Sequence, residues 1–145
     1  MRGWRTDGAV PKPLPNSPGA RYTDVNTYLF NRTGDLTLQS DWHIYASVNG
    51  QDIEMFCRNL ATGRWVLTDR VVTMRLNGRM SSTRQSLLVN RRPSTTTEFT
   101  CPDFSSLPDG LTFDFDLVEF TKDRMEANVT TPDGKTDRTV LTRVR

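Results

Sequence analysis

From residue 21 to the C-terminus, apolar side chains recur mainly at alternate positions, the period of a strand with one buried face. Tyr22–Phe30 reads as a first strand, ended by the turn Asn31-Arg32-Thr33-Gly34. Leu36–Val48 holds two further apolar stretches, with a bend expected near Ser40-Asp41. Asn49-Gly50 is a type I′ hairpin signal, because both central positions of that turn need positive φ. A two-residue loop there fixes the register. Val48 opposes Gln51, Ala46 opposes Ile53, Ile44 opposes Met55 and Trp42 opposes Cys57, which gives one apolar face. The other face pairs Ser47 with Asp52, Tyr45 with Glu54 and His43 with Phe56. A slip of one residue would exchange the two faces, so the pattern holds the register firmly.

Further on, Ala61-Thr62-Gly63 predicts a turn, Trp65–Leu76 a long β-branched strand, and Asn77-Gly78 a second type I′ turn. Met80–Val89 reads as a returning strand. Asn90–Pro108, rich in Arg, Ser, Thr and Pro, reads as a long connection with a short strand near Thr96–Thr100. Asp109-Gly110 turns the chain into Leu111–Phe120, with Leu111, Phe113, Phe115 and Leu117 inward and Thr112, Asp114 and Asp116 outward. Arg124–Thr130 and Thr136–Val144 form a last hairpin around Thr131-Pro132-Asp133-Gly134. The fold class is all-β: an antiparallel sandwich or up-and-down barrel of about nine strands.

Residues 1–20 break the pattern. They hold Pro11, Pro13, Pro15 and Pro18, four of the chain's eight prolines. Alternating proline favours polyproline II, so the expected organisation is an extended arm over 1–20 and a β domain over 21–145. At about 3.1 Å per residue the arm could reach on the order of 50 Å. Trp4, Pro11, Pro13 and Leu14 are its candidate apolar contacts with a neighbour, and Arg2 and Arg5 its candidate charged ones. The adjacent pair Arg91 and Arg92 adds a basic cluster in the long connection, suited to an acidic protein patch or to phosphates.

Composition removes several classes. A net charge of +2 gives no reason to expect a nucleic-acid partner. The basic residues are 16 Arg against 3 Lys, a bias towards the side chain favoured in interfaces. No apolar run nears the length of about 20 residues that spans a membrane, and the N-terminus lacks the apolar core of a signal peptide. Two cysteines, Cys57 and Cys101, make no disulfide framework, and both are expected to stay thiols in a reducing cytosol. The only histidine, His43, has no nucleophile motif beside it, and with two distant cysteines it makes no zinc set. Asp114 and Asp116 share a strand face at about 7 Å, which suits a solvated face better than a carboxylate pair.

The expectation is therefore a non-enzymatic protein without cofactor. A compact β domain with a clasping arm resembles virion structural proteins, such as capsid decoration, cement or small tail proteins. That resemblance is one of architecture and implies protein partners, an oligomer or larger assembly, and location in a virion made in the host cytoplasm. Two alternatives stand beside it. A small-ligand β-barrel, lipocalin-like in broad shape, would show an internal apolar pocket. A nucleic-acid-binding β domain would show a continuous arginine stripe.

Overall fold

The computed structural model describes residues 2–6, 11–14, 18–77, 81–94, 111–130 and 134–144, with the backbone alone for Arg2 and 81–85. The expected turns at Asn77-Gly78 and Thr131–Gly134 fall partly outside this set, and the short strand near Thr96–Thr100 wholly outside it. No helix occurs among the described residues. Eleven strands follow in chain order: β1 (Arg2–Thr6), β2 (Lys12–Pro13), β3 (Arg21–Phe30), β4 (Asp35–Val48), β5 (Gln51–Thr68), β6 (Val71–Leu76), β7 (Ser81–Val89), β8 (Arg92–Pro93), β9 (Thr112–Phe120), β10 (Arg124–Thr130) and β11 (Thr136–Val144).

Eight of them close into an antiparallel up-and-down barrel in the order β1-β3-β4-β5-β6-β9-β10-β11 and back to β1. β1 completes the ring by pairing with β3 on one side and β11 on the other, Trp4 lying opposite Tyr28 and Arg143. The sequence reading places residues 2–6 in an extended arm; in the structure they form this closing strand. The physical reason is that β3 and β11 would otherwise each present an open edge of unpaired N–H and C=O groups.

β4 and β5 are too long for the barrel alone, at 14 and 18 residues. Their outer halves leave it together with the start of β3 as a second, open sheet. There β2 takes over from β1 along β3, and β7 takes over from β6 along β5, with β8 at the edge. Pro13 is tolerated in β2 because that strand is an edge. Three strands are thus shared by a barrel and a sheet-like wing.

The Asn49-Gly50 turn has both residues at positive φ, 50° and 76°, and β4 and β5 pair in the register the sequence predicts, from Val48 opposite Gln51 to Trp42 opposite Cys57. β4 continues unbroken through Ser40-Asp41. Two further expectations are corrected. Ala61-Thr62-Gly63 makes no turn; β5 runs straight through it. Gly63 is there because a Cβ would lie 2.1 Å from the Arg75 carbonyl oxygen on β6. The expected strand 65–76 is instead a hairpin, reversed at Asp69-Arg70, where Asp69 adopts φ 55° without help from glycine or proline.

Alternation along the strands produces two cores. The barrel core contains Trp4, Leu36, Met74, Phe115, Met125 and Leu141, all buried. The wing core contains Ile44, Met55 and Cys57, packed against Leu14, Tyr22, Trp42 and Leu87. Buried Ser40 and Asn59, opposite each other on β4 and β5, separate the two. Ser40 accepts the Trp42 indole N–H at 2.9 Å. Cys57 is disulfide-bonded, which corrects the expectation of free thiols. The only other cysteine in the sequence is Cys101, outside the described residues. A spacing of two cysteines with no framework around them cannot distinguish a thiol pair from a bridge.

Candidate functional site

One end of the barrel is built from the turns at 31–34, 69–70 and 121–123 and from the start of β1 and the end of β11. It opens into a cavity of about 880 Å³. The size lies within the range of small-molecule sites. Its floor and walls come from inward positions of separate strands. Trp4 of β1, Phe30 of β3, Val72 of β6 and Met125 of β10 are buried beneath it, and Trp65 of β5 and Leu117 of β9 are half-buried beside it. Below that layer Phe115, Met74 and Leu36 fill the barrel, so the opening is a mouth and not a channel.

The walls are fixed by specific contacts. The Trp65 indole N–H donates to the Asn31 carbonyl at 2.8 Å, and its ring meets Phe30 edge-on at 5.3 Å between centroids. Trp4 and Phe120 face each other at 5.5 Å. The Arg70 guanidinium donates to the carbonyls of Leu117 and Val118 at 3.1 and 3.0 Å, which ties the β5–β6 turn to β9. Such pre-set walls reduce what must be ordered when a ligand enters. Leu67 and Phe120 carry the apolar lining out to the rim, exposed by 52% and 54%. Among the described residues, Arg32, Arg70 and Arg143 line the cavity against a single acid, Asp69.

A second, shallower groove of about 430 Å³ lies on the outer face of the wing. His43 stacks on Phe56 at 4.5 Å and nearly parallel, and its Nε2 lies 3.4 Å from the Glu54 carboxylate. Arg58 donates to Asp41 at 2.7 Å; that hydrogen bond, with the adjacent negative charge, raises the guanidinium pKa. The neighbours of His43 are thus the rings of Tyr45 and Phe56 and the Glu54 carboxylate, with Thr23 opposite it on β3 and Ser86 in the same groove. Asp114 and Asp116 occupy the outer face of β9, where Asp114 accepts the Thr73 hydroxyl at 2.8 Å. No group of three or more potential metal ligands occurs among the described residues.

The residues proposed from sequence as an arm lie on the chain's own fold where they are described. Trp4 is 3% exposed in the barrel core. Arg5 points outward from β1, and Arg2 belongs to the same strand. The Pro11 carbonyl accepts Arg21 at 3.1 Å, Pro13 pairs with Arg21 in β2, and Leu14 packs on the wing core. Arg91 and Arg92 sit exposed at the β7–β8 turn, where Asn90 and Arg91 both have positive φ. Among those of these residues whose side chains are described, Trp4 alone lines the mouth. Sequence reading missed Arg143, although its signal was present: it follows Leu141 by two positions and shares its inward face. A scan against protein-family models finds no match, and a search of curated proteins finds none either.

Proposed function

We propose that this chain is a binding β-barrel that holds a small, largely apolar molecule in its mouth. The observation that carries the reading is the 880 Å³ cavity walled by Trp4, Phe30, Trp65, Leu117 and Met125. Leu67 and Phe120, both exposed, carry that apolar lining out to the opening, and a concave apolar lining with a few charged groups is the usual form of a small-molecule site. Two of the chain's three tryptophans line that space, so binding can be read directly from their fluorescence. Titration with 1-decanol should change the emission saturably. Leu67→Asp, at an exposed rim position, should leave stability within about 0.5 kcal/mol and weaken the probe about tenfold or more. No saturable change in the wild type, or equal binding in the variant, overturns the reading.

A second reading is the structural, non-enzymatic component of a larger assembly, such as a virus or phage particle. The exposed apolar side chains of Val66, Leu67, Val118, Phe120 and Val144 favour it, because exposed apolar side chains are what a neighbouring subunit covers. Under that reading the purified chain self-associates, and Phe120→Ser returns it to monomer in light scattering. A wild-type chain monomeric at high concentration and without an assembly partner removes this support.

A further inference from the structure

The mouth is apolar in its walls but not in its charge. Arg143 is the last inward-facing residue of β11, across from Trp4 on β1, and is half-buried. Its guanidinium has no hydrogen bond or ion pair with any described residue, and the same holds for Arg32 at the rim. The contrast within the molecule is informative. Arg58 and Arg124, also half-buried, are each ion-paired, to Asp41 and to Glu119 and Glu126. Arg70 lines the same cavity but spends its donors on two carbonyls. A cation on the inward face of a barrel, paired with no described carboxylate, suits an anion that arrives from outside.

We infer that Arg143, with Arg32 beside the opening, receives the negatively charged head group of an amphiphilic ligand whose apolar body lies over Trp4 and Phe30. The inference rests on the mouth being a ligand site and adds the chemical class of what it takes. Guanidinium offers a planar fork of donors that matches a carboxylate with two parallel hydrogen bonds. The head group is held at the rim, and the aromatic walls take the chain.

The test compares three ten-carbon probes by tryptophan fluorescence: decanoate, 1-decanol and decyltrimethylammonium. Wild-type protein should bind decanoate about tenfold or more tighter than decanol, and the ammonium probe weakest of the three. In Arg143→Gln the preference for decanoate should fall to about twofold or less, with decanoate losing more affinity than decanol. Arg143→Lys keeps the charge without the fork and should lose about threefold of the preference, which decides the case if the glutamine variant does not fold. Equal affinity for decanoate and decanol in the wild type overturns the inference while leaving the ligand site standing. So does an equal loss of both probes in Arg143→Gln, or no loss in Arg143→Lys. If none of the three probes binds, the ligand-site reading itself falls.

Discussion

Replacing Trp4 by alanine tests whether the N-terminal residues belong to the barrel or to a partner. Trp4 is 3% exposed and faces Phe120 at 5.5 Å. A buried tryptophan removes about 150–250 Å² from water, worth about 4–6 kcal/mol at 25 cal/mol per Å². The aromatic pair adds about 0.5–1.5 kcal/mol. The site lies under an open mouth, so water can enter part of the space left behind, and the lower half of the usual cost applies. The expected loss is about 3–4 kcal/mol, a large share of the 5–15 kcal/mol that holds a domain together. With a urea m-value of about 2 kcal/mol per molar, the unfolding midpoint should fall by about 1.5–2 M. Trp42 and Trp65 remain as fluorescent reporters. A midpoint shift below about 0.3 M would refute the reasoning, because that is how a tryptophan on a free arm behaves in an isolated chain.

Gly63→Ala forces β5 and β6 apart at the Arg75 carbonyl, and should lower stability by about 1–3 kcal/mol in thermal unfolding; an unchanged Tm would show that the two strands do not approach so closely. Burial pushes the Tyr28 phenol up to about 12, with the Asp24 charge adding to it. The folded state therefore favours the neutral phenol, so this contribution is complete below the unfolded value of 10.0 and is lost as pH rises towards 12. Tyr28→Phe should remove the late step of phenolate absorbance and flatten the fall in stability over that window. Cys57 should resist alkylation in denaturant until a reductant is added, and reduction should cost about 2–5 kcal/mol; a thiol that reacts without reduction would contradict the bridge.

The parts of the fold legible in the sequence are those set by neighbours along the chain. Asn49-Gly50 and the alternation on either side dictate a hairpin and its register, and the structure has that register throughout. The inward set of β9 is equally local, with Phe115 buried and Thr112, Asp114 and Asp116 exposed. What misled the reading was set by distant residues. Gly63 carries the local signature of a turn, but its smallness answers to Arg75 on another strand. Arg2–Thr6, cut off by four prolines downstream, shows no reason to be a strand until β3 and β11 are placed on each side of it. The mouth belongs to the same category. Trp4, Phe30, Trp65, Met125 and Arg143 come from five strands and share no motif, so only ring closure brings them together.

Ring closure also sets an order of events. Gly3 pairs with Val144, so a contact between the first and the last strand completes the barrel. Of the eleven strands a ribosome releases β1 first and its partner β11 last. Until β11 emerges, β1 carries one open edge and each newly emerged strand another. Pairing across nearly the whole chain also demands the largest loop closure the molecule makes, which places it among slow-folding topologies. The Asn49-Gly50 hairpin, wholly local, can form within microseconds of its emergence. The wing therefore has its central strands long before the barrel has its last one. A chain interrupted before residue 136 would lack β11 altogether, leaving Trp4 without half of its strand pairing and the mouth without Arg143.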